Sequence, residues 1–266
     1  MAGFRGCGEF IRARNLRHGV CKLNFHAWQW FLAALGALLV GLAKTGISGL
    51  SLLFVGIFAS IMPARRSTGV VLPLLLLGDV LAFLSYRRFV EWVHVLRIFP
   101  WAAAGVIAGY FSMGRMNDRQ AGIAIGTIVA GLAFLYLALR AYPEPPSEAR
   151  VRWFAPLLGM LVGFTTIVSN AGGPIMVIYL LAMRLSKMEY MATMAAFFFV
   201  LDLFKLPFMI ELGLITQGGL TLNLALAPLV IVGTVLGRWI LGRINQRMFE
   251  NIVLALAVTA AAKMFF

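Results

Sequence analysis

Apolar residues along this chain fall in long blocks and not in strict alternation or a narrow helical stripe. The blocks are 28–43, 47–62, 67–86, 95–113, 120–141, 153–168, 175–183, 188–210, 219–241 and 249–266. A helix of about 20 residues spans the hydrocarbon of a bilayer, and a helix apolar all round has lipid or protein on every side. The pattern therefore predicts an all-α, polytopic integral membrane protein of about eight to ten helical segments.

Two pairs of blocks are too short for comfortable crossings, and each pair flanks a glycine-containing break. The first is Gly46-Ile47-Ser48-Gly49, and the second is Ser169-Asn170-Ala171-Gly172-Gly173-Pro174. Irregular backbone at membrane depth has to be covered by protein or line a polar cavity, so the breaks predict hairpins or broken helices around such a cavity.

The rhythm also restarts. Five blocks precede the Pro- and charge-rich stretch 142–152 and five follow it, which divides the chain into a basic arm 1–27, a first membrane repeat 28–141, a linker 142–152 and a second membrane repeat 153–266. Residue matches support a duplication: Asp79 and Asp202 are 123 positions apart, as are Gly49 and Gly172. The pairs Gly105/Gly109 and Gly233/Gly237 share an offset of 128, as do the motifs Arg115-Met-Asn-Asp-Arg119 and Arg243-Ile-Asn-Gln-Arg247. An odd number of crossings per half predicts two inverted repeats, although the basic residues between blocks fall on both sides and do not fix the orientation. The GxxxG pairs read as packing motifs.

Composition sharpens the class. Of the 266 residues, 61% are apolar and 12% charged, which leaves no room for a sizeable domain outside the membrane and excludes an ordinary soluble enzyme. The net charge of +13 sits mainly between blocks and in the arm, where Arg5, Arg12, Arg14, Arg17 and Lys22 face one acid, Glu9. Between the blocks such residues can meet lipid headgroups, and the arm, expected to stay in the cytoplasm, reads either as a solvated tail or as a contact with anionic lipid, so lipid is the expected partner and nucleic acid is not. Cys7 and Cys21 precede the first block and lack metal spacing. His18, His26 and His94 have no Cys or carboxylate at ligand spacing, so no metal is expected. No nucleophile elbow, HExxH helix or phosphate loop occurs, and neither enzymatic chemistry nor a cofactor is implied. The tryptophans and the cluster 197–199 of phenylalanines read as interfacial and lipid-facing aromatics.

Candidate chemistry concentrates at the breaks. Glycines let the helix unwind, and the helix that resumes turns its free N–H groups and positive end toward the gap, where an anion can be held. The expected substrate-binding set is Lys44, Thr45, Gly46, Ser48 and Gly49 in one half, with Ser169, Asn170, Gly172, Gly173 and Pro174 in the other. Asp79 and Asp202 are the only acids deep within apolar blocks, and Lys205 lies one turn after Asp202. A lysine in mid-membrane costs about 2.5–3.5 kcal/mol on insertion scales, so these three form either an ion pair or a coupling site. Asp79 has no lysine at the equivalent place, and Lys44 and Lys205 both remain candidate partners for it.

Several motifs in order resemble the sulfite exporter TauE/SafE family. In the first half they are Ala43-Lys44-Thr45-Gly46 with Gly49, Ser67-Thr68-Gly69 before Leu72-Pro73, Gly78-Asp79, and Tyr86-Arg87-Arg88. In the second half they are Asn170-Ala171-Gly172-Gly173-Pro174, Tyr179-Leu180-Leu181, and Phe204-Lys205-Leu206-Pro207-Phe208 before Leu212-Gly213-Leu214-Ile215. Two features depart from the family pattern: the first break has fewer glycines, and Asp202 stands where Asn is expected. The resemblance implies gradient-driven transport of sulfite, a sulfonate or a related organic acid across the cell membrane. A passive anion channel and a non-transporting scaffold are the rival readings, and a homo-oligomer is left open.

Overall fold

The computed structural model of the chain describes residues 26–45, 50–141, 148–183 and 185–241. Residues 1–25 of the basic arm, the break at 46–49 and the block 249–266 lie outside the described residues, as do Cys7, Cys21 and His18. Among the described residues the elements are nine α-helices and one 3-10 turn, with no strand.

The helices follow the apolar blocks. They are α1 (Ala27–Lys44), α2 (Leu50–Ile61), α3 (Ala64–Tyr86), α4 (Trp92–Arg115), α5 (Asp118–Ala141), α6 (Glu148–Ser169), α7 (Gly173–Ala182), α8 (Lys187–Glu211) and α9 (Gln217–Leu241). Five are long and apolar enough to cross a membrane, while α2 and the apolar part of α6 are shorter. Helix α6 starts at Glu148, inside the charged stretch read as linker. An acid there suits a helix N-terminus, and Pro143, Pro145 and Pro146 all lie before it.

Local signals set the ends. Ser186 and Glu189 form a reciprocal cap at the start of α8, with Ser186 N donating to Glu189 Oε2 at 2.9 Å. At its other end Gly213 adopts φ 66°, and Leu214 N reaches back to Met209 O at 3.1 Å. Prolines sit inside α3, α4, α6, α8 and α9, a pattern that membrane helices tolerate because neighbours re-satisfy the freed carbonyls.

Helices α1 and α2 form an antiparallel hairpin. Gln29 at the start of α1 donates to Ile61 O at the end of α2, and Leu42 and Ala43 pack on Leu50 and Leu53 beside the break. Helix α3 runs antiparallel to α8: Phe83 stacks on Phe199 at 5.4 Å, and the Cα of Gly69 lies against Leu214 just beyond α8.

Among the described residues the most extensively packed helix pairs are α1 with α9 and α4 with α6. Both rest on glycine. A Cβ at Gly41 would overlap Val230 O and one at Gly233 would overlap Leu38 O, while one at Gly105 would overlap Met160 O and one at Gly163 would overlap Ala102 O. The backbones therefore approach as only small residues permit, with dispersion contacts as the source of adhesion in lipid.

Large apolar side chains such as Phe31, Leu96, Leu224 and Val235 are more than 60% exposed, as lipid contact requires. Trp28, Trp30, Trp92, Trp101 and Trp239 are likewise exposed. The phenylalanine cluster does not follow the lipid-facing expectation. Phe197 and Phe198 are buried, because they lie on the face of α8 turned into the bundle, while Leu203 and Ile210 on the same helix stay exposed.

Candidate functional site

Four charges meet at the centre of the bundle. Lys44, the last residue of α1, places Nζ 2.8 Å from Asp79 Oδ2 on α3 and 3.0 Å from Asp202 Oδ2 on α8. Asp202 Oδ1 in turn lies 2.7 Å from Lys205 Nζ one turn further along α8. Two carboxylates and two ammoniums form a cluster that is formally neutral. It explains how such residues are tolerated in a hydrocarbon-facing chain, since each charge has an opposite partner.

The second break joins this cluster. Asn170 ends α6 at φ 55°, a left-handed conformation that Asn adopts more readily than most residues. Its Oδ1 accepts from Lys205 Nζ at 2.7 Å, and its Nδ2 donates to Thr68 O on α3 at 3.0 Å. Lys205 also reaches Thr166 O at 3.4 Å. A continuous chain of contacts thus runs from Asp79 through Lys44, Asp202, Lys205 and Asn170 to Thr68.

A cavity opens beside the chain, with about 40 Å³ of room for the centres of water molecules. One ordered water needs about 10–15 Å³, so the space has room for a few waters or a small ion. Lys44, Asp79, Asp202 and Asn170 supply its polar wall, with Ser51, Thr166 and Gly173. Phe54, Leu75, Met194 and Phe198 supply the apolar wall. Lys44 Nζ stands 5.1 Å from the centre of the Phe198 ring, so the aromatic face also favours the cation. Residues from beside both breaks therefore share one space: Ala43, Lys44 and Ser51 flank the first, and Asn170 and Gly173 belong to the second.

The expected site residues separate into groups. Lys44, Asp79, Asn170, Gly173 and Asp202 line the cavity, and Lys205 sits behind Asp202, fully buried. Gly172 packs under the Thr166 hydroxyl, where a Cβ would overlap it. Pro174 is buried in the first turn of α7, where a missing N–H costs nothing. Thr45 and Ser169 are turned away. Their hydroxyls donate within their own helices, to Leu42 O and Thr165 O at 2.8 Å, and neither lines the cavity. Gly46, Ser48 and Gly49 lie outside the described residues.

Thr166 was not among the residues that the sequence singled out. Within an apolar block a threonine is close in shape to valine, and no spacing signal marks it. Ser51 escapes for the same reason, while Phe198, read from the sequence as lipid-facing, lines the cavity.

Helix α7 gives the cavity its electrostatic direction. It begins at Gly173, and Pro174 has no N–H, which leaves the N–H groups of Gly173 and Ile175 without intrahelical acceptors. Those donors and the positive end of the helix favour negative charge beside Gly173, which lines the same cavity as Lys44. The arrangement can hold a small anion between an ammonium and a helix N-terminus.

Residues 33–264 match the family described as sulfite exporter TauE/SafE. No curated protein and no solved structure matches the chain. With the match covering nearly all of its length and five helices fit to cross a membrane, the chain belongs to the sulfite exporter TauE/SafE family, membrane transporters of sulfur-containing anions.

Proposed function

We propose that the chain is a secondary transporter that carries sulfite, a sulfonate or a similarly small organic acid through the central cavity. The observation that carries this reading is the position of Lys44, whose Nζ is 2.8 Å from Asp79 and 3.0 Å from Asp202 in the cavity that the start of α7 also lines. Lys44 has three donors and two carboxylate partners, so one N–H is left for a substrate oxygen.

Charge balance supports coupling to a proton. The cluster is neutral when empty, and a monoanion entering it would leave an excess negative charge in surroundings that solvate charge poorly. Asp79 is the carboxylate suited to take the proton. Among the described residues Lys44 is the ion-pair partner of Asp79, whereas Asp202 holds both Lys44 and Lys205, and protonating it would weaken both pairs. Protonated Asp79 would release Lys44 toward the anion, while Asp202 keeps both lysines in place.

The reading extends to architecture. The halves 28–141 and 153–266 are inverted repeats, a design in which corresponding helices run in opposite directions across the membrane. The antiparallel run of α3 and α8, which carry Asp79 and Asp202, supports this. So does the exchange of partners: the first helix of each half packs on the fourth of the other, α1 on α9 and α6 on α4.

A cavity walled by buried, mutually paired charges favours a carrier site over a passive anion channel, which needs a continuous wet path. Uptake of radiolabelled sulfite by proteoliposomes tests the choice. Saturable uptake accelerated by unlabelled sulfite on the opposite side is the expected result. Flux without saturation would make the protein a channel, and absence of flux would leave the scaffold reading.

A further inference from the structure

A lysine that attracts an anion inside a membrane faces two opposed demands. Its ammonium has to be compensated, because a charge buried without a partner is strongly disfavoured. The carboxylates of Asp79 and Asp202 do this for Lys44 at 2.8 and 3.0 Å, yet each of them also repels the anion that the lysine is to attract. A group that steadies the cation and carries no negative charge meets both demands.

Phe198 is such a group. Lys44 Nζ lies over its ring at 5.1 Å from the centroid, inside the roughly 6 Å over which an aromatic face attracts a cation. The residue lines the central cavity and is 9% exposed, so little water weakens the attraction. Phe197 packs edge to face on the same ring at 5.3 Å. The position follows from helical spacing: Phe198, Asp202 and Lys205 stand at i, i+4 and i+7 on α8, so one face of one helix brings both an aromatic ring and a carboxylate to the Lys44 ammonium. Leu75, which is related to Phe198 by the same 123 positions that relate Asp79 to Asp202, lines the cavity one turn before Asp79. Of these two matched positions, the one on α8 alone carries a π face.

We propose that Phe198 is a positioning residue for the transported anion, which it serves by holding the Lys44 ammonium with its π face. The inference rests on the transport reading above and adds how one ammonium is compensated without further negative charge in the site. The field of a full charge falls slowly with distance, whereas the pull of a neutral ring falls steeply. The ring therefore steadies the adjacent ammonium and acts little on an anion beyond it. Its hold does not depend on the proton state of Asp79, so Lys44 keeps a partner besides Asp202 when Asp79 is neutral.

Phenylalanine analogues with one or three ring fluorines at position 198 of the full-length protein test this, because fluorine withdraws charge from the π face and leaves the ring nearly the same size. Radiolabelled sulfite uptake into proteoliposomes is the readout. The half-saturating concentration should rise in steps with fluorine number, reaching about fivefold for three fluorines, equivalent to about 1 kcal/mol. In the Lys44→Gln background, which has no cation for the ring to hold, the steps should vanish. If uptake by Lys44→Gln is too slow to follow, the sulfite-dependent rise in thermal midpoint in detergent reads the same affinities. A merely space-filling ring would give the same half-saturation for every analogue. That flat series, or equal steps with and without the lysine, would overturn the proposal and leave transport intact. Failure of the wild type itself to take up sulfite would overturn both this proposal and the transport reading.

Discussion

Asp79 and Asp202 lie 123 residues apart in the chain, yet they grip the same ammonium, that of Lys44, at 2.8 and 3.0 Å. Two carboxylates this close repel each other, and the lysine between them makes the arrangement tolerable. A group that reorganises Lys44 therefore reorganises both acids, and with them the helices α3 and α8 that carry them.

Removing the shared cation should weaken anion binding most. Lys44→Gln is expected to raise the half-saturating sulfite concentration by about tenfold or more. Lys44→Arg should not rescue it, because a planar guanidinium does not fit a space shaped for a compact ammonium between two carboxylates and the Phe198 ring. The concentration dependence of initial uptake checks both, and wild-type kinetics in Lys44→Gln would remove this lysine from the site.

Lys205 should matter for stability before transport. It has no exposure to solvent, and Lys205→Met leaves Asn170 Oδ1 without its donor and Asp202 with one lysine in place of two. Breaking such a pair costs about 3–5 kcal/mol, which thermal unfolding in detergent would record as a lower midpoint. The double change Asp202→Asn with Lys205→Met restores neutrality around Asp79 and Lys44. It should regain much of the loss, whereas additive losses in the double variant would argue against a coupled pair.

Asp79→Asn separates binding from coupling. The amide cannot take up and release a proton, so sulfite counterflow should persist while accumulation driven by an imposed pH gradient is lost. The same liposome preparation measures both, and unchanged accumulation would place the coupling elsewhere.

The glycine contacts carry the packing and can be probed away from the charges. Gly163→Val would drive a side chain into Ala102 O where α6 meets α4, and it should sharply reduce recovery of folded protein. Gly131 has nothing within 4 Å of an added Cβ, so Gly131→Ala should be neutral or stabilise by up to about 1 kcal/mol. Thermal midpoints of the two variants decide the matter.

Much of the fold is legible in hydrophobic pattern because length and apolarity are what a bilayer demands. The block 28–43 becomes α1 (Ala27–Lys44), and the block 188–210 becomes α8 (Lys187–Glu211). Helix α6 exceeds its block because polar turns extend past the hydrocarbon without breaking the helix, and composition cannot separate such turns from a linker. Asp79, Asp202 and Lys205 stand out because charges in apolar runs are costly. What pairs with them does not, since the contacts of Lys44 with α3 and α8 exist only after the helices assemble. The inward turn of Phe197 and Phe198 is hidden because a helix apolar on all sides carries no stripe to orient it. Thr166 is hidden because whether a hydroxyl bonds back to its own helix depends on its neighbours, here Gly172 and the start of α7.

The central claim is that a small oxyanion sits in the central cavity beside Lys44 and the first turn of α7. Selenite resembles sulfite in shape and charge, and its selenium can be located by anomalous scattering in crystals of the protein. Charge-assisted hydrogen bonds of about 2.7–2.9 Å would put selenium about 4 Å from Lys44 Nζ and from the N–H of Gly173. A selenium peak there, weakened in Lys44→Gln, is the predicted result. A peak at another place, with the central cavity empty at saturating selenite, would contradict the account.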